Sequence, residues 1–145
     1  MEKIICFDMD GTIADFYGVE NWLEYLKNEN PYPYKVAKPL INMSSLARML
    51  NNRQGRGYKL VVISWLSKNG SENFNNLIIE TKKAWLKKHL PSVFWNEIHI
   101  IPYGTPKEEY GAGILFDDEK QNRDHWRGVA YDENNILEII RNLRP

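Results

Sequence analysis

Short apolar runs recur along the chain, and polar residues directly follow most of them. The runs cover residues 3–7, 59–63, 98–101 and 112–116, with a shorter one at 128–131. Short runs rich in β-branched residues and bounded by polar ones are typical of strands that are buried on both faces. The pattern therefore predicts five strands, and the first four of them stop where polar side chains begin.

Between the strands, apolar residues recur at spacings of three and four, which places them on one face of a helix. Strands that alternate with helices of this length predict right-handed βαβ crossovers. We therefore expect an α/β fold, a three-layer Rossmann-like parallel sheet with helices on both faces. The apolar stripes are Val19, Trp22, Leu23 and Leu26; Met43, Leu46, Ala47 and Leu50; Leu77, Ile78, Thr81, Ala84 and Trp85; and Ile136, Ile139, Ile140 and Leu143.

The first two predicted strands are separated by more residues than one crossover helix requires. Pro31 and Pro33 interrupt this stretch and predict a loop at residues 30–34, because proline does not fit the interior of a helix or of a central strand. We interpret the excess as a small helical flap, inserted after the first strand at about residues 16–45 and lying over the strand ends. The length of 145 residues otherwise predicts one domain, residues 1–145.

The charge balance, the cysteine content and the lack of long apolar segments limit the functions that the chain can have. Nineteen basic residues balance 19 acidic ones, so the chain has no overall field that would attract it to nucleic acid or to an acidic membrane surface. The single cysteine, Cys6, lies in an apolar run and is expected to pack in the core. Residues 1–3 lead directly into the first strand without the pattern of an export signal, and no apolar stretch is long enough for a bilayer. These features predict a cytoplasmic protein without a membrane partner.

Two acidic pairs follow predicted strands. Asp8 and Asp10 come directly after the first strand, and Asp117 and Asp118 come after the fourth. Because ligands bind at the carboxyl ends of parallel strands, the four carboxylates are expected to share one edge of the sheet, where they need a cation. Carboxylate oxygens favour Mg²⁺ over Zn²⁺, and the spacing does not fit a calcium loop. The alternative is a plain turn after the first strand and two solvated aspartates at a helix start after the fourth.

Four segments together resemble the motifs of the haloacid dehalogenase-like (HAD) phosphohydrolases. Residues 7–12, Phe-Asp-Met-Asp-Gly-Thr, are similar to the first motif, DxDGT after hydrophobic residues, and residues 61–64 resemble the second, a strand that ends in Ser or Thr. Lys107 fits the basic residue of the third motif, and residues 115–122 resemble the fourth, DDxxxN. The motifs occur in the order found in the family, and they extend over nearly the whole chain.

The resemblance implies a role for each motif residue. Asp8 would attack phosphorus as the nucleophile, and Asp10 would act as general acid and base. Ser64 and Lys107 would bind the phosphoryl group. Lys82 or Lys83 is the alternative to Lys107. The implied cofactor is Mg²⁺, bound by Asp8, the backbone carbonyl of Asp10, and Asp118, with Asp117 and Asn122 supporting the metal or its waters.

The resemblance thus implies a magnesium-dependent phosphatase that acts on phosphomonoesters through an aspartyl-phosphate intermediate. Its partner would be a small phosphate ester. Aromatic residues in the flap and Trp65, next to Ser64, favour a nucleotide or a polynucleotide end as substrate, because rings can stack on a base. The alternative for these rings is packing of the flap on the sheet. A phosphatase for a sugar phosphate also stays open.

Two non-enzymatic alternatives share parts of this pattern. A response-regulator-like receiver also combines an acidic cluster, Ser or Thr, and Lys on a doubly wound sheet. Receivers, however, have the acidic pair after the first strand and the lone acceptor aspartate after the third, which is not the order in this chain. The other alternative is a phosphoryl-binding module that keeps the fold without turnover, and the presence of all the key side chains speaks against it.

Overall fold

In the computed structural model, which describes residues 2–144, five parallel strands form the central sheet. They are β1 (Ile4–Phe7), β4 (Lys59–Trp65), β5 (Glu97–Ile101), β6 (Ile114–Phe116) and β7 (Val129–Tyr131), and their order across the sheet is β5-β4-β1-β6-β7. The chain runs from β1 through β4 to β5 on one side of the sheet, and then crosses back to β6 and β7 on the other side of β1. The five predicted strands and the parallel sheet are confirmed.

The register of the sheet brings the strand ends together. Phe7, the last residue of β1, lies opposite Val62 of β4 and Phe116 of β6. The Asp8 N–H continues the ladder by donating to the Phe116 carbonyl at 2.9 Å. The residues that follow β1 and β6 are therefore neighbours at the carboxyl edge of the sheet, where parallel sheets bind their ligands.

Helices cover the sheet on both faces. The longer ones are α3 (Met43–Gly55) and α4 (Glu72–His89), and the shorter ones are α5 (Lys120–His125) and α6 (Ile136–Arg141). Side chains of α3, α4 and α6 pack in one cluster with Ile5 and Phe7 of β1. Cys6, the residue between them, belongs to a second cluster with Trp126, at the end of α5. Alternate side chains of β1 are thus buried on opposite faces, which confirms the three-layer α/β fold.

The insert after β1 contains a two-stranded antiparallel sheet and two short helices. Strands β2 (Ala14–Asp15) and β3 (Lys38–Pro39) pair with each other. Along the chain, α1 (Trp22–Lys27) and α2 (Tyr32–Val36) lie between them. The prediction of a loop at residues 30–34 is wrong from Tyr32 onward, because α2 begins there. Pro33 lies in the first turn of α2, where helix N–H groups lack an intrahelical partner, so its missing N–H costs little.

Within residues 2–144, no helix combines the length and the apolar composition needed to cross a bilayer.

Candidate active site

The turn after β1 is shaped to hold acidic side chains close together. The Met9 carbonyl accepts hydrogen bonds from the N–H groups of Thr12, Ile13 and Ala14, which folds the chain tightly behind Asp8. Gly11 has a φ of 83°, and a Cβ atom there would lie 2.3 Å from an Asp118 carboxylate oxygen. Only glycine fits this position, because it tolerates both the left-handed backbone and the close approach of the carboxylate.

Asp8 is buried at the end of the central strand, and each of its carboxylate oxygens accepts a hydrogen bond. The Lys107 ammonium donates to Oδ1 at 2.8 Å, and the Thr12 hydroxyl donates to Oδ2 at 2.9 Å. Burial alone would raise the pKa of Asp8. The positive charge of Lys107 and the hydrogen bonds outweigh burial and hold the pKa below its ordinary value, so Asp8 is ionised at neutral pH.

Lys107 lies between Asp8 and Asp117 at the start of a short 3₁₀ turn, Lys107–Glu109. Its ammonium donates to Asp117 Oδ2, also at 2.8 Å, and its side chain is almost fully buried. The two carboxylates raise the pKa of Lys107 in spite of burial, so its charge is permanent. The side chain of Asp117 is held further by Asn122, which donates to Oδ2 at 3.1 Å, and by the Glu119 N–H, which donates to Oδ1 at 2.9 Å.

Asp118 completes an acidic group with Asp8 and Asp117. One ligand oxygen from each of the three residues lies within 4.8 Å of the others. Burial, and then the charges of the neighbouring carboxylates, raise the pKa of Asp118 to about 8 and that of Asp117 to about 6. Crowded carboxylates that resist ionisation are the chemistry expected where a cation belongs. Hard oxygen donors of this kind fit Mg²⁺, so the residues present suit the implied cofactor.

Thr12 links the two acidic pairs, a contact that the sequence pattern did not predict. Its hydroxyl oxygen accepts the backbone N–H of Asp118 at 3.1 Å and lies 3.3 Å from Asp118 Oδ1. The same hydroxyl donates to Asp8. Threonine in the DxDGT segment was a signal for this position, although the resemblance assigned it no role. The contact fixes Asp8 and Asp118 relative to each other.

Asp10 contacts a second lysine, Lys82 of α4. The Lys82 ammonium donates to Asp10 Oδ2 at 2.9 Å, to Ser64 Oγ at 2.7 Å and to the Trp65 carbonyl at 2.7 Å. Burial raises the pKa of Asp10, an effect that Lys82 opposes only in part. The site therefore contains both lysines: Lys107 next to Asp8, and Lys82 next to Asp10.

Strand β4 extends past the predicted run, so Ser64 lies inside it and Trp65 is its last residue. Ser64 is fully buried, and its hydroxyl oxygen accepts a hydrogen bond from the Lys82 ammonium. The Trp65 indole N–H donates to the Thr105 carbonyl at 2.9 Å, and its ring lies 5.3 Å from the Lys107 ammonium. Trp65 thus forms one wall beside the acidic group.

A pocket of about 480 Å³ opens over the carboxylates and extends under the insert. Its lining includes insert residues such as Tyr17, Trp22 and Leu23, as well as Trp65 and Tyr103. The ring centroids of Trp65 and Tyr103 are 5.0 Å apart, and those of Tyr17 and Trp22 are 5.1 Å apart. Asp8, Asp10, Lys107, Asp117 and Asp118 all line the pocket, together with Asn122.

The aromatic residues of the insert divide between pocket and packing. Phe16 and Tyr34 are buried, and their ring centroids lie 4.5 Å apart. Both residues also line the pocket. Tyr17 and Tyr103 are each about half exposed within it. Tyr103 was not among the residues that the sequence indicated, since its only signal is a position just after β5. The pocket therefore offers accessible rings beside the acidic group.

Comparison of the sequence with protein-family models and with curated proteins finds no match.

Proposed function

We propose that this protein is a magnesium-dependent phosphomonoester hydrolase that acts through an aspartyl phosphate on Asp8. The main support is that Asp8, a buried carboxylate at the end of the central strand, is kept ionised by Lys107 and Thr12. Asp8 faces a pocket that also contains a second carboxylate, Asp10, which is bound by its own lysine, Lys82. An ionised nucleophile next to a separate proton carrier is the requirement of this reaction.

In the first step, an Asp8 oxygen forms a bond to phosphorus while the bond from phosphorus to the ester oxygen breaks. Asp10 gives its proton to the departing oxygen, so the products are an alcohol and an acyl phosphate. In the second step, Asp10 takes a proton from water, whose oxygen attacks phosphorus and releases inorganic phosphate and the Asp8 carboxylate. Lys107 remains charged throughout and offsets the negative charge shared by Asp8 and the phosphoryl group.

The metal would be held by Asp8 and Asp118, with Asp117 behind them and the backbone carbonyl of Asp10 as a further oxygen ligand. When bound, Mg²⁺ supplies positive charge that neutralises the phosphoryl oxygens. Asp117 is the least available carboxylate, because Lys107, Asn122 and the Glu119 N–H already bind its oxygens. This arrangement favours Asp118 over Asp117 as the direct ligand.

The walls of the pocket favour a substrate whose organic part is planar. Two accessible rings line the pocket, Tyr17 on the insert and Tyr103 after β5. Stacking of a nucleobase on such a ring contributes about 1–3 kcal/mol per base. We therefore propose a nucleotide as the substrate class. A single exposed base at a polynucleotide end fits the same walls, and a sugar phosphate would leave the rings unused.

The test is hydrolysis of para-nitrophenyl phosphate by the purified protein with MgCl₂ and with EDTA. We expect turnover with magnesium and its loss with chelator. Asp8→Asn is nearly isosteric and is expected to be inactive, whereas Asp124→Asn, which changes an exposed carboxylate of α5, is the matched control and should keep full activity. Inactivity of the natural protein on this ester and on a panel of nucleotides would refute the proposal and favour a binding module.

A further inference from the structure

Lys82 is a charged side chain in a place where helices bury apolar ones. It lies on α4 at the i+4 position from Ile78, within the face that packs toward the sheet, and its side chain is 1% exposed. A buried ammonium is costly unless every N–H finds a partner and its charge is balanced. The burial of Lys82 therefore requires a compensating arrangement around its Nζ atom.

The acceptors around Nζ match the ammonium one to one. Its three protons are used by Asp10 Oδ2, Ser64 Oγ and the Trp65 carbonyl, at 2.9, 2.7 and 2.7 Å. The ring of Tyr34, from the insert, lies 5.0 Å away and provides an aromatic face for the cation. This geometry fixes the ammonium between α4, the end of β4 and the turn after β1.

These contacts determine which atom of Asp10 remains free for substrate. Ser64 is fully buried and does not line the pocket, so its hydroxyl oxygen serves to hold the Lys82 ammonium. Since Lys82 holds Asp10 Oδ2, the other oxygen, Oδ1, is left for the leaving group. Lys107, by contrast, contacts Asp8 and Asp117, so the two lysines serve different carboxylates.

We propose that Lys82 is a positioning residue, which aims Asp10 Oδ1 at the leaving-group oxygen. The inference rests on the proposed phosphatase activity and adds a residue to it. A salt bridge that served only the fold would leave the relative rates on different esters unchanged. A positioning residue changes them, because only esters with poor leaving groups need the proton of Asp10.

The experiment compares Lys82→Met with the natural protein on two esters that both carry a ring, phenethyl phosphate and para-nitrophenyl phosphate. The first has a poor leaving group and the second a good one. We expect the ratio of the phenethyl to the nitrophenyl rate to fall about 10- to 100-fold, the range for a misplaced catalytic group. The ratio does not depend on how much of the variant is folded. Lys87→Met, at an exposed position of the same helix, is the control and should leave the rate ratio unchanged.

Two further variants complete the test. Lys82→Gln keeps N–H donors, so its ratio should fall by a smaller factor, and it takes the place of Lys82→Met if that variant does not fold. In an Asp10→Asn background, Lys82→Met should change the ratio no further, because the residue it positions no longer carries a proton. A further fall there would show direct action on the leaving group and overturn the positioning role.

The outcomes separate this inference from the proposed function. If the natural protein hydrolyses both esters and Lys82→Met slows them by the same factor, Lys82 serves the fold alone and the inference fails while the phosphatase stands. If the natural protein hydrolyses neither ester with magnesium, the phosphatase itself fails.

Discussion

Asp8 and Lys107 are 99 positions apart in the chain, yet the carboxylate Oδ1 and the ammonium Nζ lie 2.8 Å apart in a buried ion pair. The parallel sheet allows this contact, because Lys107 lies in the segment that follows β5 and Asp8 follows β1, and parallel strands end at the same edge of a sheet. The same ammonium reaches Asp117 at 2.8 Å. One cation thus stabilises the ionised form of two carboxylates at the centre of the site.

Replacing Lys107 with methionine should destabilise the protein, because Asp8 and Asp117 would be left buried without a cation. Breaking a buried ion pair on one side costs about 3–5 kcal/mol of unfolding free energy. Urea denaturation without metal measures this loss. The control is Lys120→Met, which breaks the exposed Lys120–Asp124 pair and should have little effect. Equal destabilisation by the two changes would contradict a buried, charge-balanced centre.

Magnesium should stabilise the folded protein through Asp118. A ligand that binds only the folded state at about 100 times its Kd adds about 2.7 kcal/mol, which is visible as a higher melting temperature. We expect this rise in the natural protein and a much smaller one in Asp118→Asn, with melting followed in MgCl₂ and in EDTA. Asp124→Asn serves as the control with an intact site. A rise of the same size in Asp118→Asn would place the metal elsewhere.

The stability of the metal-free protein should depend on pH through Asp118. Burial and the adjacent carboxylates raise its pKa from 3.8 to about 8 in the folded state. The folded state therefore holds this proton more tightly than the unfolded state, and the stabilisation is lost as pH rises toward about 8. In EDTA, the melting temperature of the natural protein should fall relative to that of Asp118→Asn between about pH 5 and pH 8. A constant difference across this range would contradict the raised pKa.

The sequence was sufficient to predict the sheet and most of the site, because both follow from local patterns. Strands appeared as apolar runs, and the acidic residues stood directly after them. Lys82 shows what was harder to predict. It falls at i+4 from Ile78 on the apolar face of α4, a signal that a charge is buried there, but its partner Asp10 is 72 positions away in the chain. Such a pairing depends on the packing of a helix over a strand end, which periodicity does not specify.

The helix at Tyr32–Val36 was missed for a different reason. Pro31 and Pro33 predict a break when they are taken as interior residues, whereas the structure has them at the N-cap and in the first turn of α2. The position of a proline within a helix decides its effect, and a five-residue helix offers few other signals. Tyr34 was predicted only as one of the aromatic residues of the flap, and its place beside the Lys82 ammonium depends on this helix.

Removing the ring of Tyr103 should weaken binding of a nucleotide more than that of a sugar phosphate. Tyr103 is 53% exposed in the pocket and lies beside Trp65. Loss of one stacking ring costs about 1–3 kcal/mol, so KM for a nucleoside monophosphate should rise about 5- to 150-fold in Tyr103→Ala. Steady-state kinetics on both substrates measure the difference. Phe94→Ala, at an exposed ring outside the pocket, is the control, and equal changes for both substrates would argue against base stacking.

A covalent phosphate on Asp8 can be trapped by rapid acid quenching of the protein with labelled substrate, followed by peptide mapping. We expect label to be retained on the natural protein during turnover, to be released by hydroxylamine as expected of an acyl phosphate, and to lie on the peptide that contains Asp8. Asp10→Asn should retain more label, because the water that hydrolyses the acyl phosphate lacks its base, and Asp8→Asn should retain none. Turnover with no retained label in either the natural protein or Asp10→Asn, or label on another residue, would contradict a covalent phosphate on Asp8.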